Sequence, residues 1–136
     1  RHTRMYPGAV DAVQALRGAG YATAVCTNKP EGLAETLLQR LGVRNLFGAL
    51  VGADTLPVRK PDPAPLVEAI RRAGGDARRA LLVGDTATDR DTGRAAGVPV
   101  ALVTFGPEGA GVARLDPEAL LERFEDLAGV AARLIR

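Results

Sequence analysis

The chain has 136 residues, enough for one domain with a real hydrophobic core, and its 46% apolar and 25% charged residues are those of an ordinary soluble globular protein. A net charge of +2 with no basic run gives no reason to expect nucleic acid as a partner, and no apolar run approaches the roughly 18 residues that span a bilayer. Arg1 to Tyr6 carry no signal-peptide core, and the lone cysteine, Cys26, cannot form an internal disulfide, so a reducing, cytoplasmic location is expected.

In chain order, Pro7 and Gly8 open an amphipathic stretch with Val10, Val13, Leu16 and Ala19 at helical spacing, stopped by Gly18 to Gly20. The apolar run 22–26 predicts a buried strand. Pro30 and Glu31 start a second helix, with Leu33, Leu37, Leu38 and Leu41 on one face and Gly42 at its end. Residues 49–52 predict a second strand, 63–73 a third helix, 80–83 the clearest buried strand and 89–96 a short helix closed by Gly97. Residues 99–105 predict a fourth strand, 106–111 a loop, and the remainder from about Pro117 onward is mostly helical, with Leu120, Phe124, Leu127, Val130 and Leu134 as its apolar positions. Strands alternating with helices imply right-handed crossovers and a parallel sheet covered by helices on both faces, a three-layer α/β fold of Rossmann-like type in one domain spanning 1–136.

Ligands of an open parallel sheet bind at the carboxyl ends of its strands. The residues found there are Thr27 and Asn28 after the first predicted strand, Asp54 and then Lys60 after the second, and Gly84, Asp85 and Asp89 after the third. Two carboxylates gathered at one strand end repel, and a hard divalent cation such as Mg²⁺ relieves the repulsion, taking one or two carboxylates together with phosphate oxygens and waters. The same two side chains also suit a helix cap at Asp85 and a solvated first-turn acid at Asp89. Thr27 and Asn28 can hydrogen-bond anionic oxygens beside a helix N-terminus, or serve as a plain N-cap.

Of the 18 basic residues, 16 are Arg, and the only two Lys, Lys29 and Lys60, each precede a proline. Pro61 disfavours helix at Lys60, and Asp62 with Pro63 reads as a cap and first turn. The segment is stiff enough to aim an ammonium at a phosphoryl group, where Lys and Arg are not interchangeable, although a surface lysine on a loop fits the same residues. Asp89-Arg90-Asp91 places two acids on different helix faces, so Asp91 is set aside.

Thr27-Asn28, Lys60 and Gly84-Asp85 with Asp89, each after a strand and in that order, resemble the second, third and fourth motifs of the haloacid dehalogenase-like hydrolases. The longer stretches 26–30, 52–63 and 93–99 are similar to phosphoglycolate phosphatases. The resemblance implies a Mg²⁺-dependent phosphatase for a small phosphorylated metabolite, with 2-phosphoglycolate first among substrates, acting through an aspartyl-phosphate. It implies that Thr27 binds the phosphoryl oxygen with Asn28 in support, that Lys60 neutralises substrate and nucleophile charge, that Asp85 ligates Mg²⁺, and that Asp89 ligates it or holds its waters. It also creates an expectation of absence. An Asp-x-Asp nucleophile strand belongs mid-sheet, and neither it nor most of a cap domain is found, with residues 1–6 as the trailing end of a cap. A catalytically incomplete fragment that binds Mg²⁺ and phosphate, or a relative acting as phosphosugar mutase or pyrophosphatase, stays open, and oligomeric state is not legible.

Overall fold

The computed structural model describes residues 8–135, so the expectation that residues 1–6 end a cap lies outside the described residues. The chain runs α1 (Ala9–Gly18), β1 (Ala24–Cys26), α2 (Glu31–Arg40), β2 (Ala49–Val51), α3 (Ala64–Arg72), β3 (Leu82–Gly84), α4 (Ala87–Ala96), β4 (Val100–Val103), β5 (Ala119–Leu121) and α5 (Leu127–Leu134). Short 3₁₀ turns cover Arg44–Leu46, Ala77–Arg79, Gly109–Leu115 and Phe124–Asp126.

The sequence predicts a single parallel sheet lacking its central, nucleophile-bearing strand, and the structure corrects this. The described residues form five strands in two parallel sheets, β1-β2 and β3-β4-β5. Each ladder runs in unbroken register, from Ala24 opposite Ala49 to Cys26 opposite Val51, from Leu82 opposite Val100 to Gly84 opposite Leu102, and from Ala101 opposite Ala119 to Val103 opposite Leu121. Among the described residues no strand is wanting from either ladder. Apolar runs say which segments are strands, but which edges meet is a tertiary outcome that the runs do not encode. The fifth strand comes from a stretch predicted to be helical.

Strand β4 is the centre of the larger sheet, with Val100, Ala101 and Leu102 wholly buried. One of its faces packs with Leu66, Leu82, Val98 and Val112, and the other, through Val103, with Leu121 and Leu127. Helix α3 lies on β1 and β2, α4 lies on β3 and β4, and α1 packs against α5. Gly93 lets α4 lie close to the sheet, since a Cβ there would fall 2.1 Å from Val100 Cγ2. Gly97, at φ 71°, closes α4, and the Val98 amide returns to the Gly93 carbonyl at 2.9 Å. Between the two sheets, the edges of β1 and β3 line an apolar groove of about 420 Å³, floored by residues such as Leu16, Leu66, Phe124 and Leu127.

Candidate active site

The carboxyl ends of β1, β2 and β3 deliver the polar residues to one place. Directly after β3, α4 begins at Ala87, two residues earlier than the periodicity predicts, so Asp89 falls in its first turn. Its carboxylate folds back over the helix start. Oδ2 accepts from the Asp85 amide at 3.0 Å and from the Thr86 hydroxyl at 3.4 Å, while Oδ1 accepts from Lys60 Nζ at 2.8 Å. Both ends of the Lys60–Asp89 pair are buried, with side-chain exposures of 10% and 8%.

Lys60 is held from behind. The Asn28 side-chain amide donates to the Lys60 carbonyl at 3.0 Å, and its Oδ1 accepts from the Lys60 amide at 3.1 Å. Both polar ends of Asn28 are therefore occupied by backbone. This makes Asn28 the link between the loop after β1 and the segment carrying the ammonium. Thr27 is half-buried, and its amide extends the β1-β2 ladder by donating to the Val51 carbonyl at 2.9 Å. Its hydroxyl accepts from the Lys29 amide at 3.1 Å, which leaves the hydroxyl proton to donate. The structure thus joins Asn28, Lys60, Asp89 and Asp85 in one chain of contacts, and Thr27 adjoins it through the loop rather than by a side-chain bond to the other four.

The electrostatics follow the geometry. Burial, then the neighbouring Asp89 charge and a hydrogen bond to that side chain, push the Asp85 carboxyl above its ordinary range, and Lys60 offsets only part of this. Burial acts in the same direction on Asp89, but the Lys60 ammonium and the hydrogen bonds at Asp85 and Thr86 outweigh it and hold that carboxyl low. Burial raises the Cys26 thiol, which feels the charges of both Lys60 and Asp89 from the end of β1. Cys26 is a packed neighbour of the site, not a reactive group.

Two glycines make room for the carboxylates. A Cβ on Gly84 would lie 2.3 Å from Asp89 Cγ, and one on Gly106, after β4, would lie 2.9 Å from Asp85 Cβ. Asp91 points away and is exposed, as its helix position requires. The sequence leaves the N-terminus of α2 open to an anion or to a plain cap by Thr27 or Asn28, and in the structure its Glu31 amide donates to Asp54 Oδ1 at 2.8 Å. The Asp54, Thr55 and Glu31 contacts were not legible, because their partners lie more than 20 residues away along the chain.

The donor set fits a magnesium ion. Asp89 has both oxygens engaged by protein donors, whereas the Asp85 carboxyl, beside a second negative charge, is the one that a cation would relieve. No group of three or more His, Cys, Asp or Glu side chains gathers among the described residues, so an all-protein cage is absent there. Mg²⁺ is ordinarily held by one or two carboxylates, with waters and phosphate oxygens completing the shell.

The α/β fold thus brings a buried lysine–carboxylate pair and a second acid together at its strand ends. Residues 1–97 match the haloacid dehalogenase-like hydrolases, and the chain belongs to that family. It is 47% identical over 135 residues to a phosphoglycolate phosphatase of Mesorhizobium japonicum, covering 98% of this chain and 60% of that protein. It is 46% identical over 123 residues to the phosphoglycolate phosphatase of Rhodospirillum rubrum, covering 90% and 51%. A solved structure from Haemophilus somnus 129PT, described as a predicted phosphoglycolate phosphatase, superposes with a TM-score of 0.84 at 31% identity over 93% of this chain and 57% of that one.

The chain thus spans between half and two thirds of the length of these relatives. The expectation that the first motif and most of the cap are absent is corrected by the same findings. The match runs over 98% of this chain, and it shows no part of the family's motifs or cap to be missing. An absence inferred from strand pattern needs the limits of the protein, which the pattern does not supply. Hydrolases of this family generally use Mg²⁺. No helix among the described residues is long and apolar enough to cross a membrane.

Proposed function

We propose that this chain carries the phosphate- and Mg²⁺-gripping part of a phosphatase for small phosphate monoesters, with 2-phosphoglycolate first among them. The observation that carries the reading is the buried Lys60–Asp89 pair set against the Asp85 carboxyl, where the ends of β1 and β3 converge. The identity to phosphoglycolate phosphatases supports the choice of ester.

In this reading the Lys60 ammonium faces the dianionic phosphoryl group and balances charge as the bond to the leaving oxygen lengthens. The Thr27 hydroxyl donates its proton to a phosphoryl oxygen. Asn28 acts at one remove, holding the Lys60 backbone in place. Asp85 would hold Mg²⁺ directly, with Asp89 behind it as the anchor of Lys60 and of the metal's waters. When bound, Mg²⁺ supplies positive charge to the phosphoryl oxygens. Lys60 keeps the Asp89 carboxyl low, which favours its ionised form. The partner is a small phosphorylated metabolite, and the single half-buried Cys26 suits a reducing, cytoplasmic setting.

Calorimetric titration of the chain with 2-phosphoglycolate tests the proposal. Binding is expected to require Mg²⁺ and to weaken at least tenfold in Asp85→Asn. Binding that persists unchanged in EDTA and in Asp85→Asn overturns it.

A further inference from the structure

We infer that Asp54 is a positioning residue for the phosphate grip: it latches the loop after β1 onto the loop after β2 and thereby sets where Asn28 places Lys60. What the grip holds rests on the function proposed above, but the latch itself is a matter of contacts.

The argument starts from α2. Its N-terminal neighbour, Pro30, has no side chain able to cap a helix, and none caps α2 from its own segment. The missing acceptor comes from a different loop, where Asp54 Oδ1 takes the Glu31 amide at 2.8 Å. The two loops are joined beside this bond as well. The Ala53 amide donates to the Lys29 carbonyl at 2.8 Å. The Thr55 hydroxyl accepts from the Gly52 amide at 2.8 Å and donates to the Glu31 carboxylate. Gly52 allows this approach, since a Cβ there would stand 2.5 Å from the Glu31 nitrogen and 2.8 Å from the Lys29 carbonyl oxygen.

The loop of residues 27–31 is thus tied at its far end to residues 52–55, and at its near end, through Asn28, to Lys60. A loop fastened at both ends to one partner segment has few ways to shift. Releasing the Asp54 end lets the Asn28 end move, and Lys60 with it. A carboxylate whose work was only to cap α2 would leave Lys60 where it is. The two possibilities therefore differ at a site far from Asp54's own bond.

Only two lysines occur in the chain, Lys29 and Lys60, so a sample labelled with ¹⁵N-lysine gives two backbone amide signals, one from each loop. The Lys60 amide is the one bonded to Asn28 Oδ1. Lys60→Arg, used for assignment alone, removes its signal. Asp54→Ala is expected to speed hydrogen exchange at the Lys60 amide at least tenfold. Asp54→Asn, which keeps an oxygen acceptor for the Glu31 amide, is expected to hold it within threefold of wild type. The affinity for inorganic phosphate in the presence of Mg²⁺ is expected to follow the same order.

A folded Asp54→Ala whose Lys60 amide exchanges within twofold of wild type overturns the inference. So does an Asp54→Asn that behaves like Asp54→Ala, since charge and not the bond would then be responsible. Where Asp54→Ala does not fold, Glu31→Pro decides. Proline at the first position of α2 removes the amide that Asp54 accepts from, and an unchanged Lys60 amide in that variant overturns the inference equally. A wild-type chain that fails to bind phosphate counts against the proposed function and leaves the exchange result standing.

Discussion

At Gly84 one methyl group is enough to disturb the site. A Cβ there would sit 2.3 Å from Asp89 Cγ and 2.4 Å from Oδ2. The carboxylate has no freedom to swing aside, because Lys60 Nζ, the Asp85 amide and the Thr86 hydroxyl all hold it. The glycine is therefore required by proximity and not by backbone conformation, and the pair it shields is buried. Overpacking of this kind costs about 1–3 kcal/mol. Gly84→Ala is expected to lower the free energy of unfolding by about that amount, read from urea denaturation. It should also weaken phosphate binding by separating Lys60 from Asp89. A variant with wild-type stability and affinity would show that the carboxylate has room to move.

At the scale of elements, helix α3 shows how the surface contributes. The Glu68 carboxylate accepts from Arg71 at 2.9 and 2.7 Å and from Arg72 at 2.6 Å. These hydrogen bonds, Arg71 first, pull its carboxyl from an ordinary 4.5 down to about 2. A folded-state value below the unfolded one means the contribution is fully present above pH 4.5 and is lost as the pH falls towards about 2. The carboxylate is half-buried but its arginine partners reach solvent, so the effect is small and salt-sensitive. Glu68→Gln is expected to lower the melting temperature slightly at pH 7. The gap to wild type should narrow between pH 4.5 and 2, and should also shrink in high salt. A gap independent of pH would assign the effect to helix propensity instead.

The same scale shows what could be read in advance. The strand ends that carry Thr27, Lys60, Asp85 and Asp89 were legible because apolar runs followed by polar residues have few readings in an alternating α/β chain. Residues 119–121 were not. Leu120, Phe124 and Leu127 fit helical spacing, yet Ala119 and Leu121 are buried while Leu120 is 44% exposed, the alternation of a strand. A three-residue strand offers too few positions for one period to win over the other. Boundaries moved for tertiary reasons too. Pairing of β3 opens where the Leu82 amide meets the Pro99 carbonyl, so Ala80 and Leu81 stay outside the ladder and Gly84 falls within it. The ties among Glu31, Asp54 and Thr55 leave no trace in any local window, because polar residues on loops choose partners by where the loops end up.

On the scale of the whole molecule, two sheets are held together by few devices. Leu66 on α3 joins the cluster around Leu82, Val100 and Leu102, α1 packs on α5, and the Lys60–Asp89 pair bridges the segment after β2 and the start of α4. Strand β4 is buried throughout, whereas all three residues of β1 are only half-buried. Hydrogen exchange should report that difference, because opening free energies follow local burial and pairing. The amides of Val100–Val103 are expected to exchange slowest. Within β1 the pattern should alternate. The Thr27 amide is bonded to the Val51 carbonyl, and Val25, two residues before it, faces β2 as well, so both should be protected. The Cys26 amide lies between them in sequence and faces the groove, where β1 has no strand partner among the described residues. It is expected to exchange at least tenfold faster than its two neighbours. Equal protection of all three would mean that the groove edge of β1 is covered in solution, and the division into two independent ladders would then fail.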